Sequence, residues 1–260
     1  MRSLRPRPGT GPLGGPLVHL DVVGSTNDHA RELALAGAPH GTVVAAERQT
    51  AGRGRQGRTW SAPAGRALTL SALVRLPGTA LELLPLAVAI AVAESCEAVA
   101  PVTCRIKWPN DVWIDGLKVS GVLIEARPQE EWAVIGIGLN VDTTLDELAD
   151  DLRGTASSLR IASGGPVDRE AALDALLERL PAWIERLGDP ARVVEAFRER
   201  DVLQGQRIAW GSGQARREGE AHGIDDDGAL VVLTDAGERV RLDAGEVHLK
   251  RSPPGIQDGR

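Results

Sequence analysis

Apolar and polar positions begin to alternate at Leu17, and from there the pattern switches between a period of two and one of about 3.6. Leu17 to Val23 reads as a strand. Ser25 stands where a helix N-cap would, ahead of a helical pattern over about residues 26–36, and Thr42 to Glu47 reads as a second strand. A polar, glycine-rich stretch over 48–60 predicts a loop. Beyond it come a strand over 67–74, an Ala/Leu/Val helix over about 83–99, a strand over 103–107, a hairpin turning at Asp115-Gly116, and a strand over 132–141. Hairpin-linked strands next to helix-linked ones predict an α/β (α+β) fold, a mixed sheet with flanking helices.

Residues 168–187 and 190–200 carry helical periodicity, and the polar turn around Gly205 ends this texture. After it, short strands over 206–210, 214–222, 229–233, 238–242 and 246–249 alternate with turns such as Asp227-Gly228 and Ala236-Gly237, which predicts a small SH3-like β-barrel. The chain thus divides into a leader (1–16), a main domain (17–203), a C-terminal β domain (204–251) and a tail (252–260). The leader, rich in Pro, Gly and Arg, cannot build a core and is expected to be mobile; no helix-turn-helix fits within it.

Charge narrows the partners. A formal net charge of −6 gives no global basic field, so DNA or RNA is not an expected partner. The most apolar run, Leu83 to Ala93, is too short for a bilayer and is bracketed by Glu82 and Glu94. Cys96 and Cys104 match neither a metal-ligand spacing nor a disulfide framework, and no signal peptide is recognisable, so a reducing cytoplasm is expected. Among 30 basic residues only Lys107, Lys118 and Lys250 are lysine, and two of these fall within twelve residues.

Three segments carry candidate chemistry. In Gln49-Thr50-Ala51-Gly52-Arg53-Gly54-Arg55-Gln56-Gly57-Arg58-Thr59-Trp60, glycines let the backbone approach a ligand and arginines supply forks for phosphate or carboxylate. Trp60 is placed to close the loop as an apolar lid; the plainer alternative is a flexible Gly/Arg loop with no ligand. The second segment runs from Lys107-Trp108-Pro109-Asn110-Asp111 through Asp115-Gly116 to Lys118, Ser120, Gly121 and Glu125. With a two-residue type I′ turn, Ile114 faces Leu117, Trp113 faces Lys118 and Asp111 faces Ser120, which puts Asp111, Trp113, Lys118 and Ser120 on one face and Val112, Ile114, Leu117 and Val119 on the other. A carboxylate and an ammonium then share one small cavity; the alternative is a solvated hairpin with an ion pair worth about 0.5 kcal/mol. The third, Gly136-Ile137-Gly138-Leu139-Asn140-Val141, lacks the third glycine of a dinucleotide fingerprint and suits close backbone approach, with Asn140 presenting an amide. Ser25-Thr26-Asn27 serves either as a simple cap or as a polar ligand site at a helix start.

Taken in this order, the segments resemble the biotin protein ligase family: GRGRQGRTW is similar to its biotinoyl-adenylate loop, KWPNDVWIDGLKVSGVLIE to its most specific signature, and GIGLNV to a nucleotide-site segment. The resemblance spans about residues 17–250 and implies a fold like that of class II aminoacyl-tRNA synthetases and lipoate ligases. It also implies a two-step reaction. Biotin attacks the α-phosphate of ATP with Mg²⁺ present, and a lysine on the biotin carboxyl carrier domain of an acyl-CoA or pyruvate carboxylase then takes the biotinoyl group. By resemblance, Ser25, Thr26, Asn27, Gln49, Gly52, Arg53, Gly54, Arg55, Lys118 and Gly121 hold biotin; Arg53, Arg55, Arg58, Trp60, Lys107, Asn110 and Asn140 lie towards ATP; Lys118, Asp111 and Arg55 carry the chemistry, and no residue is assigned to metal. Arg53, Arg55 and Arg58 are expected to fold over the phosphates when ligand binds. Bifunctional members carry an N-terminal winged helix, and with sixteen residues ahead of the first strand no repressor function is carried over; a homodimer is admitted. Rival readings are a lipoate or octanoyl ligase, against which the arginine-rich loop argues, a nucleic-acid module, and a catalytically dead binding protein.

Overall fold

Seven strands, β1 (Leu17–Val23), β2 (Val43–Gln49), β3 (Ala67–Arg75), β4 (Arg105–Lys107), β5 (Asp111–Ile114), β6 (Leu117–Arg127) and β7 (Trp132–Asn140), form one sheet in the order β1-β2-β3-β7-β6-β5-β4. β7 is central and buried at every position, which is why its sequence is apolar or glycine throughout apart from the final Asn140. β1 and β2 run parallel because α1 (Thr26–Leu35) crosses between them; the other pairs are antiparallel, and the sheet is mixed as expected. The structure is a computed structural model that describes residues 13, 15–76, 81–211, 215–243, 245 and 247–250. The tail 252–260, and the leader apart from residues 13, 15 and 16, lie outside the described residues; Leu13 itself is buried in the core, so packing begins ahead of β1.

The sheet buries two unequal faces. On one, Ala30 and Ala34 of α1 pack on Val44, Leu73, Trp132 and Val134. On the other, α2 (Leu84–Val99), α4 (Arg169–Glu185) and α5 (Pro190–Arg198) cover a larger core that includes Leu70, Ile90, Ile135, Leu176 and Phe197. A short α3 (Leu159–Ser163), not predicted from the pattern, is capped by Ser158, whose side chain accepts from Ile161 N. The helix expected over 168–187 gives way at Glu185 to a 3-10 turn, Arg186–Gly188.

Five further strands, β8 (Arg207–Trp210), β9 (Arg217–Ile224), β10 (Leu230–Thr234), β11 (Arg239–Leu242) and β12 (Val247–Leu249), form an antiparallel sheet ordered β11-β10-β9-β8-β12. Residues 212–214 and 246, at the starts expected for two of these strands, lie outside the described residues. Among the described residues β11 does not pair with β12, so a closed barrel is not formed; closure needs a matching register at both edges, which strand spacing alone does not specify. Ile208, Val232 and Val247 join the same core as α2. A buried hydrogen bond from Trp108 Nε1 to Gly228 O (2.9 Å) fastens the small sheet to the large one. Gly228 has φ +83, and Leu83 Cδ2 lies 2.5 Å from where its Cβ would be, so a larger residue would be strained there and would displace Leu83. Among the described residues no helix is long and apolar enough to cross a membrane.

Candidate active site

The β5–β6 turn places Asp115 (φ 51) and Gly116 (φ 77) in the left-handed region, as a type I′ turn requires. Ile114 opposes Leu117 and Trp113 opposes Lys118, as the two-residue turn predicts. One step on, the register shifts: Val112 opposes Ser120 and Asp111 opposes Gly121, not Ser120. The extra residue in β6 is a bulge, and it reverses the side-chain alternation beyond it. Ser120 therefore leaves the polar face, becomes fully buried and donates to Gly138 O (2.7 Å). Lys118 and Asp111 still meet, with Nζ 2.7 Å from Oδ1. A Cβ at Gly121 would stand 3.0 Å from Lys118 Nζ and 3.5 Å from Asp111 Oδ1, so glycine leaves room for the pair.

The arginine loop is folded by its own backbone. Ala51 N donates to Gly24 O, Trp60 N to Gly52 O and Gly54 N to Arg58 O, and Arg53 bridges Thr59. A Cβ on Gly52 would overlap Trp60 O, so this glycine serves the closure of the loop rather than the cleft wall. Arg55 donates to Asn110 Oδ1 (3.1 Å) and to Gly245 O of the C-terminal sheet (3.2 Å); both acceptors are neutral. Burial lowers the pKa of Arg55, and of Lys107, whose ammonium lies 5.4 Å from the centroid of the Trp113 ring.

At the start of α1, Ser25, Thr26 and Asn27 are buried. Ser25 occupies the N-cap position without a side-chain cap hydrogen bond. Gln49 Oε1 accepts from Thr26 N (2.7 Å) and Thr26 Oγ1 (3.1 Å), while Asn27 Nδ2 donates to Glu125 Oε2 (2.7 Å). Ser71 on β3 reaches Thr26 Oγ1 (2.8 Å) and Asn27 Oδ1 (2.6 Å). On β7, a Cβ at Gly136 would overlap Asn27 Oδ1 and one at Gly138 would overlap the Trp60 ring, so these glycines make room for side chains of the chain itself.

These parts enclose one cleft of about 920 Å³, its open mouth included. Of the predicted residues, Ser25, Thr26, Asn27, Gln49, Arg53, Gly54, Arg55, Arg58, Trp60, Lys107, Asn110, Asp111, Lys118 and Gly121 line it. Gly52 and Asn140 do not; Asn140 donates to Ser157 O (3.0 Å). Sequence reasoning missed the apolar floor (Leu70, Val122, Leu123, Ile137) and Gly245 and Val247 of the C-terminal sheet. It also missed Ser71, whose one signal was a polar position inside an apolar strand. Trp60 Nε1 is buried without a hydrogen-bond partner, an unused donor in the wall. Among the described residues no group of three or more His, Cys, Asp or Glu is arranged to hold a metal.

Residues 20–142 match the biotin/lipoate A/B protein ligase family, and residues 205–250 match the biotin protein ligase C-terminal domain. A biotin--[acetyl-CoA-carboxylase] ligase of Mycobacterium tuberculosis is 38% identical over 245 residues, 89% of this chain and 89% of that one. A bifunctional ligase/repressor of Bacillus subtilis is 34% identical over 234 residues, 86% of this chain and 71% of that one. Among solved structures, biotin protein ligase from Aquifex aeolicus in complex with biotin and ATP aligns with TM-score 0.78 at 29% identity, covering 91% of this chain and 99% of that one. The chain belongs to the biotin protein ligase family.

Proposed function

We propose that this chain joins biotin to a lysine of a carboxylase carrier domain through biotinoyl-5′-AMP, with ATP as the activating substrate. The observation that carries the reading is the convergence, in one cleft, of the Lys118–Asp111 pair, Arg55 with only neutral hydrogen-bond acceptors, and the polar start of α1. Relatives named as ligases acting on acetyl-CoA carboxylase support its carrier domain as the acceptor; a pyruvate carboxylase carrier offers the same chemistry. The free thiols of Cys96 and Cys104 suit the cytoplasm, and a homodimer is compatible with the reading.

Ser25, Thr26, Asn27, Gln49, Gly54 and Gly121 form the biotin end, with Gly52 closing the loop behind it and Arg53 tying that loop to α1. Arg58, Trp60, Lys107 and Asn110 belong to the nucleotide end, with Asn140 outside the cleft lining and bonded to Ser157 O. In the first step a biotin carboxylate oxygen attacks the α-phosphorus and pyrophosphate leaves. Lys118 and Arg55 offset the charge of both reactants and the charge that develops at the α-phosphoryl oxygens. In the second step the carrier lysine attacks the acyl carbon and AMP leaves, with Asp111 placed to steer the amine and accept its proton. Among the described residues Asp111 is the one carboxylate lining the cleft, so Mg²⁺ would be held chiefly by the nucleotide phosphates.

The test mixes the full chain with ATP, Mg²⁺, biotin and a purified carrier domain and looks for one biotinoyl mass increment on the carrier lysine, with lipoate in a parallel reaction. No increment, or one with lipoate in place of biotin, rejects the proposal.

A further inference from the structure

The arginine loop carries three arginines, and their surroundings differ in kind. Arg53 Nη1 donates to Asp28 Oδ2 (2.5 Å) and Nη2 to Asp28 Oδ1 (2.9 Å), a bidentate fork, while Nη2 also reaches Glu125 Oε1 (3.4 Å). Asp28 sits in the first turn of α1, where the helix dipole favours an acid, and Arg31 Nη2 braces its Oδ1 at 2.7 Å. The other oxygen of Glu125 accepts from Asn27. Arg53 is thus bonded to two carboxylates on different elements, α1 and β6. Arg55, two residues on, has only neutral acceptors. An anion approaching Arg53 would have to displace one or both carboxylates and would meet them as like charges; one approaching Arg55 meets a cation with no carboxylate bonded to it, only Asp111 acting through space.

We propose, resting on the ligase reading above, that Arg53 is a positioning residue and not a ligand for the substrate's charged groups. The Asp28–Arg53–Glu125 clamp fastens the arginine loop to α1 and β6. It thereby fixes Gly54, Arg55 and Thr59 over the cleft and braces Asn27 from behind through Glu125. The anionic groups of biotin and ATP fall to Arg55, Lys107 and Lys118. Asp28 and Glu125 become determinants of biotin affinity without touching biotin.

The two roles predict opposite effects of removing Asp28. If Arg53 were an anion ligand, Asp28→Ala would free it and leave substrate binding unchanged or tighter. As a strut, Asp28→Ala and Arg53→Ala each raise the biotin KM by about fivefold, the scale of a partly exposed bidentate pair, with kcat within about twofold of wild type. The double variant should be no worse than Arg53→Ala alone, because both changes cut the same clamp. The proposal fails if Asp28→Ala leaves the KM values unchanged or lower while Arg53→Ala raises one of them about tenfold, or if the two losses multiply. Asp28→Asn, which keeps volume and one acceptor oxygen, replaces Asp28→Ala should that variant not fold. A second reading needs no catalysis: chymotrypsin cleavage after Trp60, without substrates, should quicken about fivefold in the Asp28 variant, and an unchanged rate overturns the clamp. Wild-type protein that makes no biotinoyl-AMP would reject the ligase reading alone, since the cleavage assay still decides on the clamp.

Discussion

Replacing Lys118 with alanine removes the ammonium that sits 2.7 Å from Asp111 while leaving the hairpin's backbone in place. Lys118 N bonds Thr155 O and its own carbonyl accepts from Ser157 N, and neither bond depends on the side chain. A unit charge about 4 Å from a developing phosphoryl charge is worth about 4 kcal/mol at an effective dielectric of about 20. The Lys118 side chain is 30% exposed, so solvent screening reduces that figure. The expected loss is about 10² to 10³ in kcat for adenylate formation, the scale found when one donor to a developing anion is removed. Stability should change little, because a partly exposed pair contributes at most about 1 kcal/mol, so Tm should move by no more than a few degrees. The assay follows α-labelled ATP into biotinoyl-AMP, with transfer from preformed biotinoyl-AMP to the carrier measured separately. Normal adenylate formation by Lys118→Ala would refute the role assigned to the ammonium, and so would a loss confined to transfer.

The complementary change, Asp111→Asn, should slow transfer to the carrier by about 10² or more while sparing adenylation; the reverse split would remove Asp111 from the acceptor step. Gly138→Ala forces the Trp60 ring away from β7, so adenylation kcat/KM should fall by about tenfold and stability by about 1–3 kcal/mol; a variant with wild-type activity would show that Trp60 does not close the cleft. Asp201 is a partly buried residue whose Oδ2 is itself buried with no hydrogen-bond partner, and burial pushes its pKa up to about 6. Its folded pKa thus lies above the unfolded value, so the stability tied to its proton is complete below about pH 4 and is lost as pH rises through about 6. Asp201→Asn removes the penalty of the buried charge: Tm should rise relative to wild type at pH 8, by an amount reflecting up to about 3 kcal/mol, and the gain should vanish towards pH 4. A gain independent of pH in thermal melts would reject ionisation as the cause.

What was legible in the sequence was local. Asp115-Gly116 dictates its turn from two residues, so the approach of Lys118 to Asp111 followed from the hairpin alone. The bulge beside it did not, because its place is decided by β7, which pairs Ser120 with Leu139 and accepts its hydroxyl at Gly138 O. The five short C-terminal strands were readable from their turns, yet their edge registers, and so the open sheet, depend on residues far apart in the chain. The same distance hid Gly245 and Val247 from the site. They reach the cleft because the C-terminal sheet docks on α2 and Trp108, a contact whose partners lie 120 residues apart. In the sequence the glycines of GIGLN read as making room for a ligand; in the fold both line the cleft and also make room for Asn27 and Trp60, which line it beside them.

The distribution of cations in the cleft carries a further physical point. Of the arginines that line it, Arg53 is committed to two carboxylates and Arg55 holds an amide oxygen and a carbonyl. A planar fork loses geometry when one acceptor is exchanged for another, whereas an ammonium can turn to any oxygen within reach. The two lysines here, Lys107 over the Trp113 ring and Lys118 on a single carboxylate oxygen, hold the weaker and more exchangeable contacts. Charge that must pass from a carboxylate to a phosphoryl group, and then to a departing nucleotide, is better followed by such groups than by forks. The two cleft lysines thus keep contacts that a substrate anion can exchange, while Arg53 keeps the one that holds the loop.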